Sequence, residues 1–272
     1  MPSITLEKSA VLSVAGEGAR QFLQGLVTCD MVAVTPGRPG FGALLTPQGK
    51  IITDFFAHEV SNGDGAQFLI DCPAPLAADF LKRLKMYRLR AKIALDEVSG
   101  QWVSGTSWDG LAPPAGAVAG PDPRHTMMGL RWLAPPPMTL QSDIAAYTAL
   151  RVACGVPEGG TDFAYGETFP HEANMDLLHG VDFRKGCYVG QEVVSRVEHR
   201  GTARKRIVQV QYETAPPPAG TPVMMGEIEI GTSGSTTGLD GLALLRTDRL
   251  LEASTSGIPV TAAGIALAAV AA

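Results

Sequence analysis

An α+β fold follows from three observations on this sequence. Up to residue 98, apolar residues alternate at strand spacing and twice change to helical spacing. From 100 to 137 the chain becomes rich in Gly, Pro and Ala, with Trp102, Trp108 and Trp132 set in short strand-like segments. After Arg206 only short β-rich segments remain, cut by Gly, Pro and Thr, the pattern of a separate all-β domain.

Thr5 to Val14 reads as a strand carrying Leu6, Val11, Leu12 and Val14. Ala19, Phe22, Leu23 and Leu26 recur at helical spacing and predict a helix over 16–27. That helix delivers Thr28-Cys29-Asp30 to its C-terminal end, where a carboxylate opposes the helix dipole. Asp30 therefore needs another partner, or serves as a turn residue. Phe41–Thr46 and Ile51–Phe56 flank Pro47-Gln-Gly-Lys50 and predict a β-hairpin. Asp54 stands among apolar residues of its second strand. Gln67–Cys72 is a third strand, and Pro73 opens a helix to Leu89 with Leu76, Phe80, Leu84 and Tyr87 on one face. Lys82, Arg83, Lys85 and Arg88 form its solvated face. Ala91–Val98 returns as a strand, so helices should cover one antiparallel sheet. Pro135-Pro-Pro137 marks a boundary. Ser142 is the expected N-cap of a helix over 143–154, closed by Gly155 and Pro157. His171 and His179 lie in a polar loop and read as hydrogen-bonding structure, with no metal site expected. Ile207–Tyr212, Val223–Met225, Glu227–Thr232, Gly241–Leu245 and Pro259 onward supply the final strands.

The 272 residues suffice for one large domain or two to three smaller ones, and 45% hydrophobic with 18% charged residues describes a globular chain. A net charge of −5 argues against a general nucleic-acid binder. Seven of the Lys and Arg residues nevertheless fall between Arg184 and Arg206, against only Glu192 and Glu198. That run lacks interleaved aromatics beyond Tyr188 and Tyr212, so no stable nucleic-acid partner is expected. The four cysteines at 29, 72, 154 and 187 form no C-x-x-C pair and suit a reducing compartment. The first residues lack a basic region followed by an apolar core. The apolar run 258–272 is too short and too broken by Ala and Gly for a membrane span. A cytoplasmic location without membrane contact is the expectation.

The most reactive stretch is Asp182-Phe-Arg-Lys-Gly-Cys-Tyr-Val-Gly-Gln-Glu192. It sets the Cys187 thiol beside Lys185, where a nearby cation favours the thiolate. Gly186 and Gly190 permit backbone approaches that a Cβ would block. A buried, inert thiol is the ordinary alternative.

Lys185-Gly-Cys-Tyr-Val-Gly-Gln-Glu192 resembles the K-G-C-x-x-G-Q-E signature of the folate-binding YgfZ family. Its members are relatives of the glycine-cleavage T-protein and are implicated in iron–sulfur cluster assembly or repair. Gln24–Asp30, Leu45–Ile51, Tyr87–Lys92, Glu172–Asp176 and Gly241–Arg246 resemble the same family in the same order. The resemblance covers nearly the whole chain.

It implies a three-domain T-protein-like ring with a C-terminal β-barrel-type domain and a folate site near the centre. The domains would be a discontinuous folate-binding unit of 1–48 and 138–200, a ferredoxin-like unit of 49–137, and an all-β unit of 201–272. Cys187, Lys185 and Asp54 are the implied catalytic residues. Asp30, Gly186, Tyr188, Gln191, Glu192 and Arg200 are implied to hold tetrahydrofolate or a one-carbon-substituted form. Arg196 and Arg204 to Arg206 would add to a basic rim for its anionic tail. Iron–sulfur client proteins or cluster-assembly proteins are the implied partners. Ala153 stands where T-proteins carry a pterin-contacting glutamate, and Thr53 replaces the first acid of their acidic pair. The first departure counts against the alternative of a folate-dependent one-carbon transferase, and the second makes the carry-over to Asp54 partial. A non-catalytic scaffold is the other alternative.

Overall fold

The computed structural model describes residues 2–60, 65–138, 143–201 and 203–270. The first expected strand is two strands. β1 (Ser3–Thr5) and β2 (Ser9–Ala15) are parted by a turn in which Ser9 N–H donates to Leu6 O, and they enter different sheets. Helix α1 (Ala19–Gln24) is shorter than its apolar spacing predicts. The hairpin forms as expected from β3 (Gly40–Leu45) and β4 (Ile51–Glu59), followed by β5 (Gln67–Pro73), α2 (Ala74–Tyr87) and β6 (Ala94–Glu97). These strands make one antiparallel sheet in the order β3-β4-β5-β2-β6. A boundary at 48/49 would cut the hydrogen-bonded β3–β4 hairpin, so the expected division between 1–48 and 49–137 is corrected. Ladder hydrogen bonds across that turn make the two strands one unit.

Both faces of this sheet are buried, which strand alternation makes possible. Phe55 points with Leu12, Val14, Phe68, Phe80 and Leu84 into a core capped by α1 and α2. Burial of each such side chain contributes about 1.5–3 kcal/mol. Phe56, one residue on, packs on the opposite face with Phe41, Leu45, Ile51, Met175, Tyr188 and Val194. Asp54 and His58 share the face of Phe56 by the same period of two.

A second sheet, β1-β7-β9-β8, uses β7 (Val103–Ser107), β8 (Val118–Pro121) and β9 (Leu130–Ala134). Gly105 lies opposite Trp132, and a Cβ there would stand 2.1 Å from the indole ring. Helix α3 (Ile144–Ala153) is capped by Asp143, whose carboxylate accepts from Ala146 N–H at 3.0 Å. The expected cap Ser142 lies outside the described residues. Helix α4 (Gln191–Arg200) follows the Cys187 loop. The remainder is a closed six-stranded barrel in the order β10-β13-β12-β11-β14-β15. Its strands are β10 (Lys205–Tyr212), β11 (Pro222–Met225), β12 (Ile228–Thr237), β13 (Asp240–Arg246), β14 (Val260–Ala262) and β15 (Ile265–Ala269). Helix α5 (Thr247–Ser256) sits between β13 and β14. No described helix is long and apolar enough to cross a membrane.

His58 is 2% exposed, and its Nε2 has no hydrogen-bond partner among the described residues. Burial pushes its pKa down to about 4, although Asp71 and Asp122 oppose the shift. A depressed folded-state pKa gives stability that is present above about pH 6.5 and is lost as pH falls towards 4. The loss should reach about 3 kcal/mol by pH 4. Urea midpoints followed from pH 7 to pH 4 should fall more steeply for the native chain than for His58→Leu. Parallel curves would remove His58 as the cause.

Candidate functional site: an anchored thiol loop and a central cavity

The thiol loop is built from its backbone outward. Asp182 N–H donates to Thr28 O, and Asp182 Oδ1 accepts from the amides of Arg184 (2.7 Å) and Lys185 (2.9 Å). This Asp-centred turn reverses the chain. Lys185 is 9% exposed and turns inward, donating from Nζ to Val27 O and Cys29 O, each at 2.6 Å. Burial lowers its pKa, while Cys29, Asp30 and Asp182 favour its charged form. Three residues on, Tyr188 is buried in the core beside Val194 and Phe41. Its hydroxyl has no partner among the described residues, and burial pushes its pKa up to about 12. Cys187 lies between these two anchors and is exposed.

Gly190 then begins α4 with φ +82, and a Cβ there would meet Thr46 O at 2.6 Å. Only glycine meets both conditions. Gln191 and Glu192 form the first turn of α4, and Glu192 pairs with Arg196 at 2.6 Å on the exposed face. Gly186 is exposed, and so is Arg200 in the last turn of α4. The sequence placed the Lys185 cation beside the thiol as its activator. The structure corrects this, because the ammonium is spent on two backbone carbonyls beneath the loop. Lys185 positions Cys187. Lys185→Met should cost about 2 kcal/mol, because two buried carbonyls lose a charged donor. Urea unfolding measures this, and an unchanged midpoint would contradict the anchor role.

Asp30 takes the turn role, accepting from Gln24 Nε2 (2.9 Å) and Val32 N–H (3.0 Å). His171, Asp176 and Glu198 bring ligand atoms within 4.8 Å of one another. Both oxygens of Asp176 are already held by Arg206, at 2.9 and 2.7 Å, and His171 Nε2 lies 3.1 Å from Glu198. Arg206 thus serves the junction with the barrel.

Asp54 belongs to a different place. It lines a cavity of about 660 Å³ together with Phe56, Arg124, Arg131, Tyr147 and Tyr165. Tyr165 Oη donates to Asp54 Oδ1 at 2.5 Å. Burial raises the pKa of Asp54, against the Tyr165 hydrogen bond and the charges of Arg124 and Arg131. Burial also raises Tyr165, so the phenol stays a donor. Each wall arginine has its own acid. Arg124 forks onto Asp122 at 3.0 and 2.7 Å, and Arg131 binds Asp71 at 2.9 and 2.5 Å. Both guanidinium groups stack on Phe56, at 4.7 and 4.4 Å from its centroid. A carboxyl with a raised pKa in a walled cavity suits acid–base work.

Of the nine residues singled out in the sequence, only Asp54 lines this cavity. The other eight lie on or under the thiol loop and along α4, so the two groups are separate. Tyr165, Arg124, Arg131 and Tyr147 were missed. Arg131 left one signal, a lone cation between Leu130 and Trp132 in an apolar strand, matched by Asp71 in Phe-Leu-Ile-Asp-Cys.

Comparison with known proteins defines the class. Residues 204–271 match the family model of the CAF17 C-terminal beta-barrel domain. The whole fold is similar to the glycine cleavage system aminomethyltransferase T from Bartonella henselae, with a TM-score of 0.77 at 16% identity, covering 99% of this chain and 84% of that one. This is a T-protein-like fold carrying a CAF17-type barrel. The chain is also similar to proteins named IBA57. It is 36% identical over 230 residues to the mitochondrial iron–sulfur cluster assembly factor IBA57 homolog of Mycosarcoma maydis, covering 77% of this chain and 57% of that protein. The homolog of Pyricularia oryzae is 37% identical over 217 residues, covering 75% and 55%. The chain spans little more than half the length of these relatives. Their name is IBA57 and not YgfZ, which refines the resemblance drawn from the motifs.

The expectation of a cytoplasmic protein is overturned, because these relatives are mitochondrial proteins. Sparse cysteine separates reducing from oxidising compartments and does not distinguish one reducing compartment from another.

Proposed function

We propose that this chain supports iron–sulfur cluster assembly, offering Cys187 to a partner protein while the cavity around Asp54 holds tetrahydrofolate or a one-carbon-substituted form. The observation that carries the reading is Cys187 itself, exposed between the Lys185 and Tyr188 anchors. The similarity to IBA57 cluster assembly factors over three quarters of the chain supports it. A thiol pinned on both sides pays little ordering entropy when a partner or cluster engages it.

The cavity fits a folate by size and chemistry. Its volume of about 660 Å³ falls within the range of small-molecule sites. Phe56 and Tyr147 supply flat walls for the pterin, and Asp54 with Tyr165 supplies hydrogen-bonding groups for its ring nitrogens. Arg124 and Arg131 are neutralised by Asp122 and Asp71, so the walls carry little surplus charge for the anionic tail, which belongs at the cavity mouth. Bound folate supplies a one-carbon carrier. Residues 182–192 do not line the cavity, which favours cluster or thiol chemistry at Cys187 over attack on a folate-borne carbon. Ala153 is exposed and offers the pterin nothing, which weighs against aminomethyl transfer.

Calorimetry with tetrahydrofolate should give equal binding by the native chain and Cys187→Ala, and about tenfold weaker binding by Asp54→Asn. Cells carrying only Cys187→Ala should lose the activity of cluster-dependent enzymes. Absence of binding by the native chain sinks the folate part, and full enzyme activity with Cys187→Ala sinks the thiol part.

A further inference from the structure

The turn between α2 and β6 has two features that neither packing nor backbone preference explains. Helix α2 ends at Tyr87, and Leu89 follows the Arg88 cap with φ +44. This left-handed position after a helix favours Gly, because a Cβ is strained there. Leu89 is also 88% exposed, so no burial offsets the strain. Backbone outliers held against both preferences point to function. Met86 (68%) and Tyr87 (40%) are exposed beside it. A shallow groove on α2, lined by Ala78, Leu81 and Met86, continues the apolar surface.

Cations surround this apolar tip. Residues 85–92 are all exposed and include Lys85, Arg88, Arg90 and Lys92, with Lys82 a turn earlier. No acid lies between Asp79 and Asp96. In this segment Arg83 alone, among the described residues, forms an ion pair, with Asp79 at 2.6 Å. The rest of the chain is acidic, since the net charge is −5.

We propose that the 82–92 turn docks reversibly on an anionic lipid surface, with Met86, Tyr87 and Leu89 entering the headgroup boundary and the five unpaired cations facing lipid phosphates. An apolar insertion and a basic cluster are the two signals that peripheral membrane attachment requires. A protein partner suits the size less well, because a stable interface needs about 800 Å² per side and this is a single, largely exposed eleven-residue turn. The acidic remainder of the chain would be repelled by the same surface, which fixes orientation.

Sedimentation of the full chain with vesicles tests this, using phosphatidylcholine alone against phosphatidylcholine with about 30% phosphatidylglycerol. The native chain should pellet with anionic vesicles only, and release at about 0.5 M salt. Each cation removed should weaken binding about fivefold, so Arg88→Gln with Arg90→Gln should lose about 25-fold. Leu89→Gly should weaken binding several-fold while raising the thermal midpoint, because it relieves the left-handed strain. A merely structural Leu89 would leave binding unchanged. Failure to pellet with anionic vesicles overturns the proposal, as does equal binding by Leu89→Gly and the double variant. Binding of soluble polyglutamate without any vesicle binding would assign the tip to an acidic protein and overturn it as well.

Discussion

Arg131→Ala should lower the stability of the chain by about 3–5 kcal/mol, the cost of leaving a buried charge without its partner. Arg131 on β9 reaches Asp71 on β5 through Nε and Nη2, and so ties the second sheet to the first. Ser104 Oγ donates to the same carboxylate oxygen at 2.7 Å. Asp71 Oδ1 has no partner among the described residues, so Oδ2 carries all its compensation. Removing Arg131 leaves one neutral donor for a buried anion. Replacing both partners by leucine should recover most of the loss, because two apolar groups need no compensation. Urea unfolding of the two variants beside the native chain decides the point. A loss below about 1 kcal/mol for Arg131→Ala would mean that water reaches Asp71 and screens it.

Asp162→Ala should cost a similar amount, about 3–5 kcal/mol, and the damage should fall on the barrel junction. Asp162 accepts from Arg151 Nη1 (3.3 Å), Glu158 N–H (2.7 Å), Ser235 N–H (2.5 Å) and Ser235 Oγ (3.0 Å). It thereby joins α3, the loop after it and strand β12. Gly234 makes this approach possible, since a Cβ there would lie 2.3 Å from Asp162 Oδ1. In the variant the buried Arg151 keeps Glu158, whose side chain is half exposed, as its acidic partner, beside the neutral acceptors Val156 O and Ser235 Oγ. Hydrogen exchange should show the Ser235 amide losing protection before the amides of β4 and β5. Asp162→Asn keeps one acceptor and should lose about half as much. Uniform loss of protection across the chain would contradict a junction role.

The thiol loop was legible because its parts are consecutive. Asp182, Lys185, Gly186, Cys187 and Gly190 lie within nine residues, and each residue type has a local reason to be there. What sequence reading missed was direction: it set the Lys185 cation beside the thiol, whereas the chain beneath offers two bare carbonyls that claim it. The cavity was hardly legible, since its walls come from β4, β5, β9, α3 and the 157–165 loop. Asp54 stood out as a carboxylate among apolar strand residues, and only family resemblance gave it a role. Helices α4 and α5 were missed for a shared reason. Each is only ten residues long and fully buries a single residue, Val194 or Ala253, so the apolar signal of each is short. The first strand was read as one because its apolar residues continue through a turn that only Glu7 and Lys8 mark.

The pairing of the barrel's first strand with its last has a consequence for the order of events on the ribosome. Val210 on β10 lies opposite Ala269 on β15, a ladder that cannot close until the final strand has left the exit tunnel. The five-stranded sheet is complete in sequence by Glu97, and the four-stranded sheet by Ala134. Nascent chains therefore carry a finished N-terminal platform while β10 still waits with an open edge, and an open edge invites mispairing. At ordinary elongation speeds the roughly sixty residues from the end of β10 to the end of β15 take about 3–12 s, and a stall among them would hold that edge open longer.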